Sequence, residues 1–523
     1  MDLTKELREW QEIIEKSAKS YGLDFFETIF ELLPFKELNA TASFMGFPGR
    51  YPHWRFGMEY ESLSKAYAYG LQKIYEMVIN NNPTYAYLLD CNNLVDQKMV
   101  MAHVFGHADF FKNNIWFSKT DRKMLDKMAD HRAEIRAFID KYGYEVVETF
   151  IDTCLSLENL IDRHAPFIER RVIRTSSLVN PEVEEEKKTV KKIPTDRSYL
   201  EPYMNPADFL KAEQKKIDEE ERREQHFPEN PEKDIMLFLI ENAPFLKTEE
   251  WKRRVLEIVR EEAYYFVPQA QTKIMNEGWA SYWHTKIMTG SDRTDPYQRG
   301  QAKPAILADS EIIDFAEHHS GTVATSPGRL NPYKLGLELF RDIEERWNQG
   351  KFGKEYDECD DFEIREQWDK KLGMGREKIF EVRKIHNDVT FIDSFLTYEF
   401  CQKQKLFVYR YNKEVGVYII SDRDFQAVKQ QLLFSLTNSG QPHIYVQDGN
   451  YDNRGELFLE HHFEGHGLDR RYIEDSLRAL YRVWGRPVWI KTKEKSEDEG
   501  REQIVIYGLE EDVENGINIE TPD

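Results

Sequence analysis

Cysteine is scarce in this 523-residue chain: Cys91, Cys154, Cys359 and Cys401 are the four present, and no two form a CxxC pair. Such spacing excludes a disulfide framework and reads as buried thiols in a reducing compartment. Long apolar runs are missing too. None approaches the roughly 18–20 residues that cross a bilayer, so no membrane span is expected. The opening Met1-Asp2-Leu3-Thr4-Lys5-Glu6 has neither a basic nor an apolar leader region, and a cytoplasmic protein is the expectation. No Gly-rich phosphate loop, dinucleotide fingerprint or serine nucleophile elbow follows a strand-like segment. Positive charge is also short, with 72 Lys and Arg against 94 Asp and Glu, a net −22. Phosphate neutralisation needs clustered cations, which makes nucleic acid a poor partner. Much of that acidity is local: residues 355–369 hold eight acids and one base, and 496–523 hold ten acids and one base. The rest is nearly balanced, so the case against nucleic acid rests on the lack of a basic cluster or recognition motif.

What is abundant is aromatic residues, 13% of the chain, which bury large areas but carry Tyr and Trp groups that need polar partners. A polar-lined interior is expected where they concentrate. Residues 1–175 read as mostly helical. Leu7, Trp10, Ile13, Ile14 and Ala18 recur at helical steps up to a stop at Tyr21-Gly22, and Glu61–Ile79 and Met99–Phe111 are further helices. From about 180 to 231 the chain is dense in Glu and Lys, a charged crossover. Helical periodicity returns at Ile235–Leu246, through Trp251–Gly290, and at Asn331-Pro332, where Asn caps and Pro opens a helix. Beyond about 400 the pattern turns to ββαββαββ. The expected fold is a mainly α N-terminal body, 1–400, with a small C-terminal α+β domain, 401–510, and an acidic tail, 511–523.

The strongest chemical signal is His103-Val104-Phe105-Gly106-His107. Histidines at i and i+4 share one helical face, so both imidazoles can converge on one ion. A pair of this kind is also common in polar cores. Asn276-Glu277-Gly278-Trp279-Ala280-Ser281-Tyr282-Trp283-His284 places a carboxylate and an imidazole two turns apart on a second helix. Two His on one helix and a Glu from a later one is the ligand set of gluzincin-type zinc hydrolases. His103, His107 and Glu277 are therefore the expected ligands of a divalent metal, zinc foremost, with iron or manganese as alternatives. The competing reading has Glu277 and His284 satisfying each other inside an aromatic core. A metallopeptidase carries HExxH, and here the glutamate position is Val104. His284, Glu59 and Glu158 are the candidate general bases. Asp109 and Asn114 are candidate orienting groups, and His53, His164 and His318-His319 further polar residues of a cavity.

These blocks, together with Asn331-Pro332-Tyr333-Lys334-Leu335-Gly336, Asp162-Arg163-His164-Ala165-Pro166 and the region Ile385–Phe400, resemble the stage V sporulation protein R (SpoVR) family. The resemblance implies a cytoplasmic bacterial protein linked, in spore formers, to formation of the spore cortex peptidoglycan. It brings no catalytic residues with it. Two functions follow: a metal-dependent amide or peptide hydrolase, with a peptidoglycan precursor or peptide as substrate, or a non-catalytic regulator docking a protein partner through the C-terminal domain.

Overall fold

The computed structural model describes all residues except 1, 69–75, 169–205, 207–209, 212–213, 217–225, 291–302, 327, 413–414, 496–501, 511–516 and 521–523. Most of the expected crossover and acidic tail lies outside the described residues. The structure is mainly helical with a β-containing C-terminal region. Two compact units divide it: Met1–Tyr144 with Tyr264–Gly440, and Glu145–Ala263 with Gln441–Asp523. This division differs from the 1–400 and 401–510 spans expected from composition, because it groups 145–263 with the C-terminal strands.

In the first unit, the helix Lys5–Ser20 begins at Thr4, whose hydroxyl accepts from the Leu7 N–H, and buries Leu7, Ile14 and Ala18. It ends at Tyr21-Gly22 as expected. The next element is a strand, β1 (Thr28–Leu33). β2 (Glu76–Ile79) and β3 (Thr84–Leu89) complete a sheet of order β1-β3-β2, with β1 parallel and β2 antiparallel to β3. This sheet adds strands to a region expected to be mostly helical, and it corrects the end of the expected helix Glu61–Ile79. Glu-Met-Val-Ile continues a helical count, but so short an apolar run is equally a strand, and pairing with β3 decides it.

The centre of the unit is a stack of helices. Leu94–Asn113 packs on Lys273–Thr289, which packs on Pro332–Gln349, which in turn packs on Gly375–Ile385. Leu94–Asn113 starts at Asn93, whose side chain accepts from Asp96 N at 2.7 Å, and it is buried continuously from Val95 to Phe111. A helix enclosed on all sides can keep polar side chains only where they find partners. Glycines set the spacing. A Cβ at Gly106 would lie 2.7 Å from Ala280 Cα, and one at Gly278 would lie 2.3 Å from the Gly336 carbonyl carbon. Trp279, Trp283, Phe105, Phe340 and Phe391 fill the core around these crossings. β4 (Val408–Asn412) and β5 (Val417–Asp422) form a separate antiparallel pair, followed by the helix Phe425–Leu436.

The second unit is built on a five-stranded sheet of order β10-β9-β8-β7-β6, from β6 (His443–Tyr451), β7 (Glu456–His462), β8 (Val488–Lys495), β9 (Glu502–Leu509) and β10 (Ile517–Glu520). One pair, β7 with β8, is parallel, and the helix Arg470–Trp484 makes the crossover between them. That helix buries Ile473, Leu477, Leu480, Val483 and Trp484, the 3–4 residue spacing visible in the sequence. The strands and helices expected beyond residue 400 are all present, with β10 added, but β4, β5 and the helix Phe425–Leu436 fall in the first unit.

Candidate metal centre

His103 and His107 project from the middle of Leu94–Asn113, and Glu277 and His284 from the facing side of Lys273–Thr289. Glu277 Oε2 lies 3.4 Å from Nε2 of His103 and 3.4 Å from Nε2 of His107. The ligand atoms of these three residues lie within 4.8 Å of one another, the one such cluster among the described residues. The three side chains are nearly sealed, with 5–7% of each residue exposed.

The contacts made by the other ring nitrogens determine where protons can sit. His107 Nδ1 is 2.8 Å from Asn276 Oδ1. An amide oxygen only accepts, so Nδ1 carries the hydrogen and Nε2 of the neutral ring presents its lone pair to Glu277. His103 Nδ1 is 2.9 Å from His284 Nδ1, and His284 Nε2 is 3.1 Å from His319 Nδ1. When His103 donates along this chain, its Nε2 is also a bare lone pair. Glu277 Oε1 accepts from Lys273 Nζ at 2.6 Å, while Oε2 is buried without a hydrogen bond.

Lone pairs facing one another in a buried space need a cation between them. Protons can serve: burial works against charging His107, but Glu277, Asn276 and Glu76 outweigh it and hold its pKa above the ordinary value. A metal would also fit the two 3.4 Å approaches. N–H···O bonds are about 2.7–3.2 Å, whereas ligands about 2.1 Å from a tetrahedral ion stand about 3.4 Å apart. The donor set of two imidazoles and one carboxylate suits zinc and also non-haem iron. Asn276 and His284 stand where groups that orient ligating imidazoles belong.

The surrounding electrostatics follow from burial. His103 is pushed down to about 4, first by desolvation and then by His107. His284 lies well below its usual value, through burial and then the neighbouring His103 and His319. Burial opposes the charge on Glu277, yet interactions with His103, His107 and Lys273 hold it well below the ordinary carboxylate range. Glu76, on β2, is a second carboxyl in this field: burial pushes it up to about 7, while His107 pulls down and Glu277 pushes up.

His103, His107, Glu277 and His284 are thus brought together, with His319 behind His284. Glu59 is on the exposed face of the helix Trp54–Ala68 and does not enter the cluster. Glu158 belongs to the second unit, in the turn after the helix Tyr144–Ser156. Asp109 and Asn114 do not orient the imidazoles. Asp109 accepts from Trp279 Nε1 and Asp24 N, both at 2.8 Å, and Asn114 donates to the carbonyls of Arg383 and His386. His53 accepts from Arg55 N, His318 bonds Asp96 at 2.7 Å, and His164 is exposed in the second unit. Of the four thiols, Cys154 and Cys401 are buried, but Cys91 is exposed and Cys359 half-buried, contrary to expectation. Sequence reasoning missed Asn276, Lys273, Tyr333 and Glu76. The first adjoins Glu277 and the third lies in a motif already singled out; Glu76 carried no signal, since its segment read as helix.

One residue supports the site from outside it. Asp388, at the start of the helix Asp388–Phe395, accepts from the backbone N–H of Ile274 at 2.8 Å and of Met275 at 2.9 Å. Thr272, at the cap position, makes no such bond. Asp388 therefore caps the helix that carries Glu277 and His284.

Over residues 2–441 the chain matches the family model described as SpoVR like protein. It is also similar to the protein YcgB of Escherichia coli (strain K12), 30% identical over 510 residues that cover 91% of this chain and 90% of the relative. No solved structure matches it. Among the described residues, no helix is long and apolar enough to cross a membrane. The chain belongs to the SpoVR family.

Proposed function

We propose that this member of the SpoVR family holds a divalent cation on His103, His107 and Glu277, zinc first, iron or manganese next, and acts as a metal-dependent amide or peptide hydrolase. The observation that carries the reading is Glu277 Oε2, buried without a hydrogen bond and 3.4 Å from two imidazole Nε2 atoms. A bound cation would polarise a carbonyl oxygen and make water a better nucleophile. The chain's own residues do the rest. Asn276 and His284 hold the imidazoles with Nε2 inward, and Lys273 occupies Oε1 of Glu277, leaving Oε2 to the ion. Three ligands leave a coordination position open, as catalytic sites require.

Val104, fully buried, stands where a metallopeptidase has its glutamate, so the proton must be moved by another group. His284 is committed to His103 and His319, and Glu59 lies on an exposed helix face outside the cluster. Glu76, with its carboxyl near 7, is the better-placed base in this reading. The substrate class is an amide or peptide, a peptidoglycan precursor where the chain serves cortex formation. Metal analysis of the purified protein tests the centre: stoichiometric metal is expected, and its loss in His103→Ala and in Glu277→Ala. A folded His103→Ala/His107→Ala variant with wild-type metal content rejects it. Release of amines from peptide substrates by the loaded protein, absent in Glu277→Ala, tests the hydrolase assignment.

A further inference from the structure

The Asn331-Pro332-Tyr333-Lys334-Leu335-Gly336 segment supplies no ligand to the cluster, yet it is tightly built against it. Asn331 Oδ1 accepts from Lys334 N at 3.3 Å and Pro332 opens the helix, so Tyr333 is fixed in the first turn. One turn on, Gly336 meets the Glu277 helix: a Cβ there would stand 2.1 Å from the Ile274 carbonyl oxygen and 2.7 Å from Gly278 Cα. Only glycine allows this approach, and it locks the register of the two helices. Tyr333 consequently lies beside the cluster. Its ring stacks on His103, centroids 6.2 Å apart at 24°, with Lys273 Nζ 6.0 Å from the ring. Its phenol interacts with the Glu277 carboxylate.

The two histidines and Glu277 are buried, whereas Tyr333 is partly exposed and Lys273 is 57% exposed at its side chain. These two residues therefore mark the side from which a ligand reaches the cluster. His107 Nδ1 gives its proton to Asn276, and Lys273 gives one of its three to Glu277, the carboxylate that the Tyr333 phenol also meets. A phenol is a neutral donor at physiological pH and needs no change of charge to serve. Donors aimed at an oxygen that carries or develops negative charge are worth most in such a sheltered place.

We propose that Tyr333 is the hydrogen-bond donor for an oxyanionic group held at the open side of the His103/His107/Glu277 centre, which makes oxyanion-bearing ligands, such as carboxylates, hydroxamates and the addition product of an amide carbonyl, the class this site takes. The inference rests on the metal-centre reading above. Its test uses the full-length protein loaded with Co(II), whose visible spectrum reports both metal and ligand, and acetohydroxamate as probe. Tyr333→Phe should bind Co(II) within about threefold of wild type, with its acetohydroxamate Kd raised about tenfold or more, as for a lost charge-assisted hydrogen bond. Binding of 2-mercaptoethanol, whose sulfur is a weak acceptor, should move less than about threefold. Equal acetohydroxamate affinity, equal weakening of both probes, or loss of Co(II) from Tyr333→Phe each overturns the role. Absence of Co(II) binding by the wild type removes the centre itself, and this inference with it. Should Tyr333→Phe fail to fold, Tyr333→Trp keeps a ring N–H. Affinity for acetohydroxamate within about threefold of wild type then supports the role, and a tenfold loss rejects it.

Discussion

Replacing Gly106 by alanine tests whether close helix approach, and not merely the presence of the ligands, makes the centre. Gly106 lies between the two histidines, at the crossing with the Glu277 helix. The new Cβ would sit 2.7 Å from Ala280 Cα and 3.2 Å from Ala280 Cβ. Carbon atoms rest about 3.5–4.0 Å apart, so the helices must separate by about 1 Å. The neighbour is backbone and cannot swing away. On the far side, Gly278 is already pressed against Gly336, so the Glu277 helix has no room to retreat. Overpacking of this kind costs about 1–3 kcal/mol, offset by about 1 kcal/mol of improved helix propensity. A net loss of up to about 2 kcal/mol is expected in urea unfolding. The same 1 Å widens the 3.4 Å approaches of Glu277 to both imidazoles, and Co(II) affinity should fall about tenfold or more. Gly57→Ala is the control: Gly57 is in the helix Trp54–Ala68 with nothing within 4 Å of an added Cβ. It should gain about 0.5–1 kcal/mol and leave Co(II) binding unchanged. If the two variants behave alike in stability and metal affinity, the packing argument is wrong.

Three further outcomes are expected. Asp388→Ala, which removes the cap of the Glu277 helix, should lower stability by about 1–2 kcal/mol in chemical denaturation; an unchanged midpoint would show that the bonds to Ile274 and Met275 are energetically idle. Glu311→Gln leaves the buried Lys98, now 2.7 and 2.9 Å from the two Glu311 oxygens, without its counter-charge and should cost about 3 kcal/mol or more, whereas Lys98→Met/Glu311→Leu should recover most of that loss. A double variant no better than the single one counts against the ion-pair account. For the metal-free protein, His103 has a folded pKa near 4 against about 6.5 unfolded, so on acidification the unfolded chain takes up its proton first. The stability linked to the neutral ring is complete above pH 6.5 and is lost between about 6.5 and 4, roughly 3 kcal/mol in all. Urea titrations across that range should show a flatter pH dependence for His103→Asn, and an identical slope in both proteins rules the linkage out.

Elements whose residues face one apolar surface were legible in advance. The first helix, with its stop at Tyr21-Gly22, and the strand and helix order beyond residue 400 follow from period and turn residues alone. The sheet β1-β3-β2 was not, because its strands are short apolar runs, and the β1–β3 pairing joins residues more than 50 apart, which nothing local reveals. The same limit applied to the site. His103 and His107 announce each other at i and i+4, and Glu277 and His284 at i and i+7, since a helix converts those intervals into a shared face. Glu76 reaches the same field from a strand edge and Tyr333 from a third helix, and no interval along the chain encodes either approach.

The sequence by itself determined which side chains could ligate a cation, the two helical faces that present them and the family to which the chain belongs. Those are consequences of side-chain chemistry and local periodicity, which need no partner segment. Tertiary structure alone decided that the two faces meet, through Gly106 against Ala280 and Gly278 against Gly336, at a distance that leaves Glu277 Oε2 between two imidazoles. It also decided that Asn276 and His284 hold those rings, while Asp109 and Asn114 serve Trp279, Asp24 and the backbone of Arg383 and His386. The physical reason is burial. A buried polar atom bonds to whatever the packing places within about 3 Å, and packing is settled by contacts between helices far apart in the chain.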